Sequence, residues 1–149
     1  MSAKDEEREY GWYDEHGDYF YMNRFMGFRF LSGTDIPEEY RDKPDAPKAA
    51  MDVLTRLLKE TEEFDTELVE SLTLKQIAER TEKSEIGKLR YVRLGRTAYN
   101  PKFLKTIRRT FKDAMWYVRP DKGDLSNLYM VDPYNKQKIG VLMPMKILG

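Results

Sequence analysis

An α+β fold, with a C-terminal βαβββ unit and antiparallel sheet preceded by an aromatic β-hairpin and two helices, follows from three features of the sequence. Nine aromatic residues crowd positions 10 to 30 around a turn-like Asp14-Glu15-His16-Gly17-Asp18. After Lys48, apolar residues recur at three- and four-residue spacing. Beyond Lys88, short alternating runs are separated by Pro, Gly, Asn and Asp. At 149 residues the chain fits a single domain, within which residues 10–87 and 88–149 are candidate subunits.

Residues 1 to 9 are polar and read as a frayed tail. Tyr10, Trp12, Tyr13, Tyr19, Phe20, Tyr21, Phe25, Phe28 and Phe30 then flank the turn as a β-hairpin, with a further strand to Leu31. Ser32 to Pro47 carries Gly33, Pro37, Pro44 and Pro47 among charges and reads as loop or linker. Ala50, Val53, Leu54, Leu57 and Leu58 form the apolar stripe of a surface helix. A second helical stretch covers about Thr66 to Glu82, broken near Thr73, a suitable N-cap for Leu74 onward. Lys88 to Tyr99 alternates as a strand with Gly95 at a turn or bulge. Asn100-Pro101 opens a helix, since Asn is a favoured N-cap and proline at the first helical position forfeits no needed N–H. Met115–Val118, Leu128–Val131 and Lys138–Met145 read as strands, joined by turns at Pro120–Asp124 and Asp132–Asn135.

Twenty-six basic and 26 acidic side chains cancel, so no global field draws the chain to nucleic acid or anionic membrane, and any DNA affinity must be local. Nineteen aromatics exclude a disordered chain. The absence of cysteine removes disulfides, thiolate metal sites and cysteine nucleophiles, and fits a cytoplasmic protein. The charged N-terminus lacks the apolar core of a signal peptide, and no stretch approaches the roughly 18 apolar residues of a membrane span.

Chemistry concentrates in the helix after Asn100. Phe103, Leu104, Ile107, Phe111 and Ala114 share one arc; Lys102, Lys105, Arg109 and Lys112 lie nearly opposite, with Arg108 beside them. Such a row meets successive phosphates without reading bases. Alternatively, its charges pair with Glu60, Glu62, Glu63, Glu67 and Glu70. The hairpin rings are expected in the core; a stacking platform for bases would need cations beside exposed rings, and only Arg24 and Arg29 are near. His16, with Asp14, Glu15 and Asp18, is more readily a hydrated turn than a metal site. No phosphate-binding glycine loop, nucleophile elbow or acid–base pair at motif spacing is present, so neither catalysis nor a cofactor is expected.

Ala98-Tyr99-Asn100-Pro101-Lys102-Phe103-Leu104, the three strands after the helix, and the closing Val141-Leu142-Met143-Pro144-Met145-Lys146 resemble the final segment of a bacterial DNA sliding clamp. The resemblance covers about residues 88–149. In that family each domain pairs two βαβββ units whose helices line the bore of a ring. It implies duplex DNA, bound without regard to sequence, against Lys102, Lys105, Arg109 and Lys112. It also implies an apolar pocket for a replication or repair peptide, lined by Val141, Leu142, Met143, Pro144 and Met145, with Lys146 at its rim. Methionine suits that role because its flexible, polarisable side chain adapts to different peptides. A clamp chain has three such domains and this one has room for one; residues 60–83 read helical where a preceding unit should supply strands. The resemblance therefore implies a lone or degenerate unit, for which ring closure needs a homo-oligomer.

Two other readings compete. Thr73–Thr81 followed by Ser84–Arg90 resembles a helix-turn-helix, although Glu82 stands where glycine is favoured in the turn and Lys83 where an apolar residue should pack. The other is a small protein-interaction protein of a phage or mobile element that never touches DNA, its aromatic hairpin forming the contact surface.

Overall fold

The computed structural model describes residues 8–59, 67–84 and 88–146. Its ten strands are β1 (Tyr10–Tyr13), β2 (Tyr19–Met22), β3 (Met26–Phe30), β4 (Glu67–Val69), β5 (Glu82–Lys83), β6 (Arg90–Leu94), β7 (Thr97–Tyr99), β8 (Met115–Val118), β9 (Leu128–Val131) and β10 (Lys138–Leu142). Its α-helices are α1 (Lys48–Lys59), α2 (Leu74–Arg80) and α3 (Pro101–Thr110). The protein is α+β, dominated by an antiparallel seven-stranded sheet ordered β1-β2-β3-β10-β9-β8-β4; β5, β6 and β7 form a second, smaller sheet.

Strand alternation assigns each ring to a face. Tyr19 and Tyr21 of β2, Phe28 and Phe30 of β3, Trp116 and Val118 of β8, Leu128 and Met130 of β9, and Leu142 of β10 share one cluster with Ile77 of α2 and with Leu104 and Ile107 of α3. Trp12, Phe20, Tyr129 and Val141 point the other way and pack with Leu54 and Leu58 of α1. The large sheet is thus covered on both faces. Gly27 permits the close approach of α1, because a Cβ there would stand 2.3 Å from Leu54 Cδ1.

The aromatic hairpin forms as expected, with Trp12 stacked on Phe20 at 5.5 Å. Its turn is fastened by charge. Asp14 accepts the amides of His16 and Asp18 and pairs with Lys59 of α1. Asp18, itself buried, takes both Nε and Nη2 of Arg29, and the Ser32 amide. Arg29 is therefore held by Asp18, Arg24 lies over the Phe25 ring, and the rings are mostly core, which corrects the base-stacking reading of the hairpin. Tyr13, at 66% exposure, is the exception.

Five other expectations change. The stretch from Ser32 to Pro47 is not a bare linker, since Tyr40 and Ala46 are buried and the Tyr40 hydroxyl bonds Thr110. Glu67–Val69, read as helix, is a strand on β8; among the described residues of that stretch, which leave out Thr66, only Leu74–Arg80 is helical, capped by Thr73 through a reciprocal Thr73–Gln76 box. The second helix of a helix-turn-helix is replaced by β5 and β6, with residues 85–87 outside the described ones. Finally, the strand before α3 does not join the three after it. It is a hairpin, β6 and β7, turning at Gly95 (φ 61°) and belonging to the smaller sheet, so the expected βαβββ order is present in the chain but not as one sheet. Nor do residues 10–87 and 88–149 separate, because β10 lies between β3 and β9.

Burial raises the pKa of the Asp14 carboxyl, but the hydrogen bonds from Lys59 and from the Asp18 and His16 amides outweigh it and hold the group below its ordinary value. A folded value below the unfolded one contributes stability that is complete above the ordinary carboxylate range and lost as the pH falls through the lowered value. Denaturant melts across pH should show the wild type more stable than Asp14→Asn near neutrality, with the two converging in strong acid.

Candidate binding groove and basic face

The groove is built where the last strand ends. Pro144 has no N–H with which to continue the ladder, so β10 stops at Leu142 rather than reaching Met145. Beyond it the Met143 amide donates to Phe25 O at 2.9 Å, and the Met145 amide donates to Ala98 O at 2.8 Å. Residues 143–146 are thereby strung from the β2–β3 turn to β7. That turn is fixed by Asn23, whose Oδ1 accepts the amides of Phe25 and Met26.

The opposite wall is the start of α3. Asn100 caps it by accepting the Lys102 amide at 2.9 Å, and Pro101 occupies the first helical position. This sets Phe103 against Phe25, with ring centroids 4.8 Å apart, and leaves Lys102 exposed. Between the walls lies a groove of about 800 Å³. Met26, Met143 and Met145 line it together with the paired phenylalanines, Tyr21 and Tyr40. Lys102 and Lys146 line it as exposed cations. Glu9 lies at the groove too, but its charge is engaged: Oε2 pairs with Lys43 at 2.8 Å and Oε1 accepts the Tyr21 hydroxyl at 2.6 Å. Burial, reinforced by Glu9, raises the pKa of Tyr21, so its phenol remains a neutral donor.

The six C-terminal residues singled out in the sequence divide in two. Met143, Pro144, Met145 and Lys146 line the groove, whereas Val141 and Leu142 are 5% and 0% exposed. Those two are corrected to core residues, turned to opposite faces of the sheet by strand alternation. Phe25, Phe103, Tyr21 and Tyr40 were missed as lining residues. Phe103 carried a signal, because it lies at the margin of the apolar arc; Tyr40 carried none, as it sits in a proline-rich loop.

The basic face also divides. Lys102 and Arg109 are exposed and Lys105 half-buried on α3, while Lys112 is exposed just past the helix, which ends at Thr110. Among the described residues none of these four forms an ion pair. Of the acids proposed to neutralise them, Glu70 pairs with Arg80 at 2.7 Å, and Glu60, Glu62 and Glu63 lie outside the described residues. Arg108 is corrected from a DNA contact to a structural residue. Its guanidinium lies 4.9 Å over the Trp116 ring and donates to Leu72 O at 2.7 Å and to the Phe111 and Lys112 carbonyls. It closes the C-terminal end of α3, where a cation also meets the negative end of the helix dipole.

The hairpin turn offers no comparable cluster. His16 is exposed beside Glu15, whereas Asp14 and Asp18 are directed to Lys59 and Arg29. Among the described residues no group of three or more His, Cys, Asp or Glu is placed to hold a metal ion, and no helix is long and apolar enough to cross a membrane. No protein-family model matches the sequence, and no curated protein or solved structure matches it.

The two kinds of α3 cation should behave oppositely on truncation. Arg108→Ala removes the donor to Leu72 O and Lys112 O, and one of the two donors to Phe111 O, and should lower the free energy of unfolding by about 1–3 kcal/mol, whereas Lys102→Ala should change it by no more than about 0.5 kcal/mol. Denaturant titration of both variants checks this, and equal effects would contradict the division.

Proposed function

We propose that this protein is a non-catalytic binding module, similar to a sliding-clamp domain, that captures a short partner peptide in the groove beside residues 143–146. The supporting observation is the convergence of three methionines and the stacked Phe25–Phe103 pair in one groove with Lys102 and Lys146. That arrangement suits an extended peptide with one or two large apolar side chains and an acidic neighbour: the rings and thioethers offer adaptable apolar surface, and the lysines favour a carboxylate. The reading carries with it a cytoplasmic location and a replication or repair protein as the source of the peptide.

A random hexapeptide library selected on the wild type should return sequences rich in Leu, Phe or Met with an adjacent Asp or Glu. Synthetic peptides of that consensus should bind Phe103→Ala at least about 10-fold more weakly, the loss expected of an interface anchor. A library without consensus, or peptides indifferent to Phe103, would sink the groove as the site.

The second part of the reading is duplex DNA held by Lys102, Lys105, Arg109 and Lys112, supported by the absence of acidic partners for these four among the described residues. The helical part of the row spans about 10 Å, short enough to follow one phosphate backbone and too short to encircle a duplex. Encirclement would need a homo-oligomer. With four phosphate contacts, affinity for a labelled duplex should fall roughly 100-fold between about 50 and 200 mM salt and be lost when all four residues are alanine. A folded wild type that does not bind duplex at low salt would remove this part and leave the groove unaffected.

A further inference from the structure

From Ile86 to Lys112 the chain holds nine cations, Lys88, Arg90, Arg93, Arg96, Lys102, Lys105, Arg108, Arg109 and Lys112, and no acid. Since the whole chain is neutral, the remaining residues carry a net charge of −9 by difference. The α3 row accounts for only part of this stretch. Four of the cations lie on or beside β6 and β7, on a surface that the proposed function leaves unused.

The geometry of β6 shows what that surface presents. Val92 and Leu94 are 0% and 3% exposed and belong to the main core, so alternation sends Tyr91 and Arg93 to the outer face. There the Arg93 guanidinium carbon lies 5.4 Å from the Tyr91 ring centroid, and the ring remains partly exposed. Lys88, two residues before β6, and Arg96, in the β6–β7 turn, are exposed, as is Leu89; Arg90 is exposed at the start of the strand but alternates with Val92 and Leu94 to the other face. The register sets Lys83 opposite Arg90 and Glu82 opposite Tyr91. Among the described residues none of Lys83, Lys88, Arg90, Arg93 and Arg96 makes an ion pair.

We propose that the outer face of β6 is a contact surface for single-stranded nucleic acid, with Tyr91 and Arg93 as a stacking platform for an unpaired base and Lys88 and Arg96, beyond the two ends of the strand, as phosphate contacts. The choice of a single strand follows from the ring. A planar aromatic held against an exposed guanidinium, with further exposed cations beyond both ends of the strand, matches a polyanion whose bases are free to stack, and the paired bases of a duplex offer it no face. Binding there is sequence-tolerant, because every base has a π-face. This surface shares no residue with the groove or with the α3 row.

Fluorescence anisotropy with labelled oligodeoxythymidylate and, separately, a labelled duplex tests it on the full chain. The wild type, Tyr91→Ala, Tyr91→Phe, Arg93→Gln and the alanine variant at Lys102, Lys105, Arg109 and Lys112 are compared, each checked for folding by thermal melting. Wild type should bind the single strand at low salt. Tyr91→Ala should weaken that binding about 5- to 100-fold, the range expected for loss of one stacked base. Tyr91→Phe should retain it, Arg93→Gln should weaken it, and the four-alanine variant should keep most single-strand binding even if duplex binding is lost. The proposal is overturned if the wild type does not bind oligodeoxythymidylate, if folded Tyr91→Ala binds as wild type, or if duplex displaces the single strand from a Tyr91-dependent site with equal or greater affinity. Because duplex binding is read separately, failure of the α3 row and failure of the β6 surface give different patterns.

Discussion

The structure depends on the insertion of β10 between β3 and β9. That strand joins the aromatic hairpin to the C-terminal strands in one sheet, and its alternation supplies Leu142 to one core and Val141 to the other. Because β10 is central, helices must cover both of its faces; α1 does so on one side, approaching closely only because Gly27 has no Cβ. On the other side α2 and α3 pack together over Trp116 and Met130. The groove follows from the same strand. Once Pro144 ends the ladder, the chain turns aside to β7 and leaves a trough between its own terminal segment and the head of α3.

Neutral overall composition conceals a sharp division of charge. The acidic majority lies outside residues 86–112, and within that stretch the cations do unlike work. Arg108 is withdrawn into the fold, where its planar fork reaches three carbonyls and its face covers an indole, a combination an ammonium would not reproduce. Arg109, next in sequence, is exposed and without an ion-pair partner among the described residues. Lys102 stands at the junction of the proposed surfaces, heading the α3 row while lining the groove. Elsewhere several acids are held by cations of the fold: Asp14 by Lys59, Asp18 by Arg29, Glu9 by Lys43 and Glu70 by Arg80.

Local signals carried much of the fold. The Asn100 cap with Pro101, the Thr73 cap, the apolar stripe of α1, and the two strands Met115–Val118 and Leu128–Val131 were all legible, because each rests on a residue's own backbone preference or on a short-range period. What failed was long-range. Glu67–Val69 is a strand because β8 pairs with it, and nothing in three residues announces that partner. Placement of the β6–β7 hairpin in a separate sheet was likewise invisible in a linear strand–helix–strand order. Of the groove, Met143, Pro144, Met145 and Lys146 could be read from the C-terminal segment, whereas Met26 could not. Phe25, Tyr21 and Tyr40 could not, since an aromatic destined for a cleft and one destined for the core look alike until the sheet is assembled. Arg108 was misassigned for a related reason: its helical angle places it near the cationic arc, and only tertiary carbonyl partners draw it inward.

The pairing of Gly27 with Val141 joins positions more than one hundred residues apart, and this has a kinetic consequence. The β1–β2–β3 and β8–β9–β10 ladders are each local and can zip quickly, whereas their union must await closure of a long loop, the slow kind of contact in folding. Until then β3 presents an unpaired edge from Met26 to Phe30, and Phe28 and Phe30 lack the helix that covers them. An intermediate with an open, apolar edge is a template for pairing with another chain. Yield on refolding should therefore be governed by protein concentration more than by the stability of the finished molecule, with the join between β3 and β10 as the step that sets it.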